Sequence, residues 1–243
     1  MMNIKQLEQA NIDNLTNLWK LLGYEKRPLN SHLTLNYSQS WPYRVWFNWH
    51  NEPSVADWVA AGKLTGAMPN AKFPTWHQVD INEMEQNGFA TSFAQTAMVL
   101  HLHNEIERIP TELVFKEVTS QAETAVWTEI ASQSFGYTVP PEVMQKVVGT
   151  PELTLILAYL DDEPMATTLL FTNSDVVGVH LVGVPLAFRR RGFARKIMQY
   201  ALQTIEQSGV AYATLQASAL GEPLYESLGF TKQFTITSFV KAE

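Results

Sequence analysis

The stretch "GVPLAFRRRGFARKIMQYALQTIEQSG", residues 183–209, decides the fold. From Gly192 onward, Ala194, Ile197, Met198, Ala201 and Ile205 recur at helical spacing, and Ser208-Gly209 closes the pattern. Just before it, "GVHLVGV" (178–184) alternates His180, Val182 and Val184 along one face of a strand, and Pro185 limits how far that strand continues. Arg189, Arg190, Arg191, Arg195 and Lys196 crowd the junction, in a chain whose formal net charge is −7. A helix N-terminus is the positive end of the macrodipole and favours acidic residues. Cations there make sense if an anion sits on the turn. Strand, glycine turn and helix aim free backbone N–H groups at one point, and Gly192 permits close approach. From charge alone, a phosphate-binding turn and a solvated basic patch stand side by side. Neither a Walker loop nor the three-glycine dinucleotide fingerprint is present.

The rest of the chain bounds the reading. Its 243 residues fit one large domain or two small ones, and 46% hydrophobic with 17% charged residues is the composition of a soluble globular protein. The acidic balance argues against general nucleic-acid binding. No cysteine occurs, which excludes disulfides, thiolate metal sites and a cysteine nucleophile. The N-terminal "MMNIKQLEQANIDNL" lacks the apolar core of a signal peptide, and no run reaches transmembrane length. A cytoplasmic location, with no membrane partner, is expected.

Working outward from the turn, "ELVFKEV" (112–118) predicts a strand. "SQAETAVWTEIASQSFG" predicts a helix capped by Ser120 with Glu123 completing a capping box. Residues 153–184 predict three strands, the first two joined by a hairpin turn at Asp161-Asp162. "YATLQAS" is a further strand, "EPLYESL" a short helix, and "FTKQFTITSFVKA" the last strand or strands. In the first half, Ile12, Leu15, Leu18, Trp19 and Leu22 predict a helix over 11–24, "SVADWVAAGK" predicts another, and 92–103 a strand. Residues 104–112 read as a linker. Helices among short strands predict an α/β fold, a mixed central sheet flanked by helices.

The chain also repeats itself. Without gaps, "MEQNGFATSFAQTAMV" (84–99) sets Gly88, Phe89, Phe93, Thr96 and Val99 on Gly229, Phe230, Phe234, Thr237 and Val240 of "YESLGFTKQFTITSFV" (225–240). The match is either a common helix–glycine–strand junction or a tandem duplication of one α/β domain, divided as 1–110 and 111–243. In the second case the first copy is degenerate, because nothing like "RRRGFAR" occurs in it and Met84 falls on Tyr225.

Arg189-x-x-Gly192-x-Ala194, after a strand and opening a helix, resembles the [Gln/Arg]-x-x-Gly-x-[Gly/Ala] motif of the GNAT superfamily of N-acetyltransferases. "SALGEPLYESLGF" (218–230) is similar to the family's second signature, Asn-x-x-Ala-x-x-Leu-Tyr-x-x-x-Gly-Phe, through Leu224, Tyr225, Gly229 and Phe230. Ser218 and Gly221 replace the usual Asn and Ala, and Pro185 stands one position earlier than in many relatives. The resemblance covers residues 113–243. It implies a GNAT-like fold that binds acetyl-CoA, its pyrophosphate on the turn formed by Arg189, Arg190, Arg191, Gly192, Phe193, Ala194 and Arg195. It also implies a pantetheine arm along Val182, Gly183 and Val184, with a further contact at Ser218.

What the resemblance implies chemically is direct acyl transfer from the thioester to a primary amine, on a small molecule or a peptide, by a monomer or homodimer. Tyr225 is the natural acid for the departing sulfur, although packing explains it equally simply. His180, near pKa 6.5 in its usual state, suits removal of the amine proton directly or through water. Glu129 and Glu222 are weaker candidates for that base, and an amine arriving neutral needs none. Trp41, Tyr43, Trp46, Phe47, Trp49 and Trp76 form either a substrate cleft or the core of the first copy. A non-catalytic acyl-CoA-binding protein that retains the turn is the alternative to an enzyme, and a purely structural module is the third reading.

Overall fold

The computed structural model describes residues 2–242 apart from 67, 69, 103–105, 107 and 109. Part of the linker read at 104–112 therefore lies outside the described residues. In chain order the elements are α1 (Ile4–Leu22), β1 (Glu25–Pro28), β2 (Thr34–Tyr37), β3 (Val45–Trp46), α2 (Val55–Leu64), β4 (Phe73–Thr75), α3 (Ile81–Gln86) and β5 (Phe89–His101). There follow β6 (Val114–Glu117), α4 (Gln121–Phe135), α5 (Pro141–Met144), β7 (Leu153–Leu160), β8 (Glu163–Asn173) and β9 (Val176–Gly183). The last are α6 (Phe193–Gln207), β10 (Tyr212–Ala217), α7 (Glu222–Ser227) and β11 (Thr231–Lys241). The mixed α/β class expected from the sequence is what is observed.

The chain forms two compact units. One comprises Met1–Met98, Gln216–Ser227 and Thr231–Glu243, the other Val99–Leu215 and Leu228–Phe230. In the second unit the strand order is β10-β9-β8-β7-β6. β9 and β10 run parallel and the other neighbours antiparallel. The β7–β8 hairpin turns through Asp161 and Asp162, at φ 49° and 64°, as a two-residue loop between right-twisted strands requires. Helix α4 begins on the expected capping box, in which Ser120 accepts from the Glu123 N–H and the Glu123 carboxylate accepts from the Ser120 N–H. Helix α6 buries Phe193, Ile197, Met198, Ala201, Leu202 and Ile205, the stripe read from its sequence with Phe193 and Leu202 added and Ala194 half-buried.

In the first unit, β11 pairs antiparallel with β4 and lies between β4 and β5, and β1-β2-β3 form a separate small sheet. Trp46, Phe47 and Trp76 are core here: Phe47 packs with Leu35, Val45, Trp58, Met84, Phe89 and Phe239, while Trp46 and Trp76 pack with Ile12, Leu15, Trp19 and Ile236. Helix α1 starts at Ile4 rather than at residue 11. Its first two turns are exposed or half-buried and carry no apolar period; a capping box between Asn3 and Gln6 starts them instead. The two repeat segments adopt the same local structure in the gap-free register. The six-residue helices α3 and α7 each lead, through a glycine at positive φ (Gly88 at 81°, Gly229 at 93°), into a long strand, β5 or β11. Met84, the counterpart of Tyr225, is fully buried.

Two tryptophans separate packing from polar satisfaction. Trp127 on α4 is fully buried and its Nε1–H donates to the carbonyls of Ile156 (3.1 Å) and Thr168 (3.3 Å), whereas the buried Nε1 of Trp58 has no partner among the described residues. Losing a satisfied donor strands its acceptors, while losing an unsatisfied one relieves a burial cost. Trp127→Phe is therefore expected to lower stability by about 1–3 kcal/mol, and Trp58→Phe by less; urea unfolding of the two variants measures the difference.

Candidate functional site

The turn at 183–196 is assembled from β9 downward. β9 pairs with β8 along its length, from Asn173↔Val176 to Thr167↔Gly183. Its parallel ladder with β10 contains only Tyr212↔Val176, Ala213↔Val177 and Thr214↔Gly178. From Val179 to Gly183, then, β9 has β8 on one edge and, among the described residues, no β10 ladder on the other. The register also slips in this part, where Leu169 faces His180 but Thr167 faces Gly183, so β9 carries one extra residue. Leu181 absorbs it at φ 50°, a conformation that costs a non-glycine residue about 1–3 kcal/mol. Two hydroxyls of β8 support the bulge: Thr167 Oγ1 donates to the Leu181 carbonyl (3.0 Å) and Thr168 Oγ1 to that of His180 (3.4 Å). The simple alternation expected for His180, Val182 and Val184 is therefore interrupted. Val182 and Val184 pack on a cluster of Leu113, Ala158, Met165, Ala166, Phe193 and Ile197, whereas His180 is buried opposite Leu169.

Gly183 has a steric reason to be glycine, because a Cβ there would stand 2.8 Å from Ser134 Cβ and 2.9 Å from Thr167 Oγ1. After it the chain makes a 3-10 turn over Leu186–Phe188 and passes through Arg190 (φ 62°) and Gly192 (φ 77°) into α6. Gly192 has open space around a Cβ, so torsion rather than crowding selects glycine at this position.

The start of α6 differs from those of α1 to α4. Side chains of Asn3, Ser54, Asp80 and Ser120 cap α1, α2, α3 and α4, but no side chain caps α6 and its first turn holds no acid. The Gly192 carbonyl accepts from the N–H groups of Arg195 (3.1 Å) and Lys196 (3.4 Å). Among the described residues nothing accepts from the N–H groups of Gly192, Phe193 or Ala194. Three adjacent donors at a positive helix end form an electrostatic and hydrogen-bonding fit for phosphate oxygens.

The basic side chains divide by task. Arg189 is exposed but committed to the backbone: its Nε–H donates to the Val184 carbonyl (2.9 Å) and its Nη2 to the Ser134 carbonyl (2.6 Å), tying the turn to the C-terminal end of α4. Arg191 lies over the Phe193 ring, 4.7 Å from its centroid, and Lys196 pairs with Glu112. The Lys196 ammonium holds the Glu112 carboxyl below the usual range. Arg190 is exposed, and Arg195 half-buried. The tie between Arg189 and Ser134 was not readable in the sequence, since it joins residues 55 positions apart.

Ser218 and Tyr225 belong to the other unit. Ser218 shapes the entry to α7: its hydroxyl accepts from the Gly221 N–H (3.3 Å) and its carbonyl from Gly221 and Glu222. The half-buried Tyr225 packs its ring on Gly221, where a Cβ would stand 2.9 Å from Tyr225 Cε2. Burial pushes the Tyr225 phenol up to about 12. Glu222, considered above as a base, is held ionised below the usual carboxylate range by hydrogen bonds from Lys232 and then Thr96, which makes it a poor proton acceptor. Glu129 lies exposed on α4 near Gln133.

Residues 116–239 match the family model for the acetyltransferase (GNAT) domain, about half of the chain. The chain belongs to the GNAT acetyltransferase family. Solved structures agree with this GNAT assignment at the level of fold. A GCN5-related N-acetyltransferase from Kribbella flavida superposes with a TM-score of 0.72 at 15% identity, over 100% of this chain and 97% of that one. One from Sphaerobacter thermophilus gives 0.65 at 14% identity, over 93% and 84%. A GCN5-related N-acetyltransferase-like protein from Streptococcus suis gives 0.62 at 13% identity, over 95% and 99%. No curated protein matches the chain by sequence. Among the described residues, no helix is long and apolar enough to cross a membrane.

The Arg189 contacts make a prediction about this GNAT turn. A guanidinium engaged with two backbone carbonyls supports the fold, so Arg189→Ala should cost about 1–2 kcal/mol, a charged hydrogen bond discounted for its exposed position. Arg190→Ala, which removes no such contact, should leave the unfolding midpoint unchanged; thermal and urea melts of the two variants provide the comparison.

Proposed function

We propose that this GNAT acetyltransferase uses acetyl-CoA to acetylate a primary amine, on a small molecule or a peptide. One observation carries the reading: three consecutive N–H groups, Gly192 to Ala194, at an uncapped helix start with no acid in its first turn. GNAT acetyltransferases use acetyl-CoA as co-substrate, and the residues present fit it. The N–H groups of Gly192, Phe193 and Ala194 hold the pyrophosphate, with Arg190, Arg191 and Arg195 adding positive field and Arg189 fixing the turn. The β9 edge along Val182, Gly183 and Val184, beyond the end of the β10 ladder, offers backbone groups to the amides of the pantetheine arm. Ser218 offers a hydroxyl. Acetyl-CoA supplies an activated thioester; everything else falls to the chain.

Tyr225 is the proton-bearing group at the sulfur. A phenol near 12 is uphill of a thiol near 8.5 by roughly 3–4 units, about 5 kcal/mol for outright transfer. Tyr225 therefore acts first as a hydrogen-bond donor that keeps its proton, and its task does not fade as pH passes the ordinary phenol value of about 10. His180 accepts the amine proton, directly or through a water. The oxyanion is met by a backbone N–H of β9. We assign residues 111–243 as the catalytic domain and 1–110 as a degenerate copy, related by tandem duplication; the matching α3–β5 and α7–β11 segments support this. We place the protein in the cytoplasm as a monomer or homodimer.

Coenzyme A binding and thiol release test the assignment together. Gly192→Val should abolish calorimetric binding of coenzyme A while the circular-dichroism spectrum stays native. Tyr225→Phe should keep acetyl-CoA binding and lower kcat for thiol release with an amine panel by about 10²-fold, the order of losing one hydrogen-bond donor to developing charge. Binding by the wild type with no thiol release from acetyl-CoA, whether an amine or water is the acetyl acceptor, would favour the non-catalytic reading. Wild-type affinity in Gly192→Val would remove the turn assignment.

A further inference from the structure

Helix α7 is a poor platform by itself. It has six residues, none of them fully buried, and a helix that short does not hold its own geometry in water. Its first residue carries polar ties to two strands. Glu222 Oε2 accepts from Thr96 Oγ1 of β5 at 2.5 Å, and Glu222 Oε1 pairs with Lys232 Nζ of β11 at 2.5 Å. Lys232 also reaches Glu226 Oε1 at 3.1 Å. One carboxylate thus ties the helix to two strands. Tyr225 stands three residues after Glu222, on the same side of a helix. Its ring occupies the space over Gly221, where a methyl group would collide with it.

The half-exposed ion pairs in this cluster contribute little to stability, because exposed charges gain little and are screened. What they fix is direction: two bonds at different oxygens of one carboxylate leave the start of α7 no freedom to roll. The roll angle of α7 determines where the Tyr225 hydroxyl lies.

We propose that Glu222 and Thr96 are positioning residues for Tyr225, with Gly221 leaving the space in which its ring is seated. This inference rests on the reading of Tyr225 as the donor to sulfur. It also gives the first half of the chain a task in the reaction, because Thr96 comes from β5, the last strand of the degenerate copy.

A double-mutant cycle tests it, read as thiol release from acetyl-CoA to the amine found in the panel or, failing one, to water. Glu222→Ala and Thr96→Val should each lower kcat about tenfold, a modest misplacement of a catalytic group, with the KM for acetyl-CoA within about twofold and a native melt. Glu222→Gln, whose amide oxygen can accept from Lys232 while its NH2 donates to the Thr96 hydroxyl, should recover most of the rate. In the Tyr225→Phe background neither Glu222→Ala nor Thr96→Val should slow the enzyme further. Equal slowing in both backgrounds, or wild-type kcat in folded Glu222→Ala and Thr96→Val, overturns the inference while leaving Tyr225 as donor intact. Wild-type kcat in Tyr225→Phe alone, or no thiol release by the wild type, removes the donor reading and this inference with it. If Glu222→Ala fails to fold, Thr96→Val, which changes no charge, decides between the same outcomes.

Discussion

A β-strand buried in a sheet ordinarily has a ladder on both edges, and among the described residues the β10 ladder beside β9 reaches only to Gly178. From there to Gly183 the β10 ladder is gone while the β8 ladder continues. The consequences propagate along the chain. One extra residue at Leu181, held by the hydroxyls of Thr167 and Thr168, bends the strand at the same place. Gly183 then passes so close to Ser134 that no side chain fits. Arg189 closes the turn on α4, and the α6 N-terminus emerges with donors unmatched among the described residues. Strand edge, bulge, glycine and guanidinium are parts of one arrangement, which exposes backbone polarity where a folded protein ordinarily hides it.

The arginines that make the turn conspicuous do not share one role. Arg189 spends its hydrogen bonds on protein carbonyls, Arg191 lies on the Phe193 ring, and Lys196 is paired with Glu112. Charge in this segment therefore serves two ends: it holds the turn in shape and it keeps a positive field at the helix start. The polar cluster at α7 works by a related logic, since Glu222 is tied to two strands and held ionised by them. In both places a short irregular element that packing cannot immobilise is held by directional bonds. Directional bonds fix orientation at small cost in buried area, which is what a site needs and a core does not.

How much was legible before the structure follows from how local each feature is. The Ser120–Glu123 capping box, the Asp161-Asp162 hairpin turn and the α6 stripe rest on residues within a few positions of one another; the first two stand as read, and the stripe gains Phe193 and Leu202 while Ala194 is half-buried. The start of α1 was missed because its first turns carry no apolar period and its signal lies in the Asn3–Gln6 cap. The Leu181 bulge was missed because alternation in sequence says nothing of an extra residue until the partner strand is known. Of the proposed site, the glycine turn and Tyr225 were visible through their motifs. The links of Arg189 to Ser134 and of Glu222 to Thr96 and Lys232 were not, because each joins residues separated by other elements.

The sequence by itself determined the local grammar: which segments are helix or strand, where the glycine turn lies, and the family to which its two spaced motifs point. Those features depend on periodicity, capping and backbone torsion, which neighbours in the chain dictate. Only the tertiary structure decided what the conspicuous side chains touch. It engaged Arg189 with two backbone carbonyls, buried Met84, raised the Tyr225 phenol and tied Glu222 to two strands. Hydrogen-bond partners, burial and the charges around a group are set by residues that folding brings together, and no pattern along the chain encodes them locally.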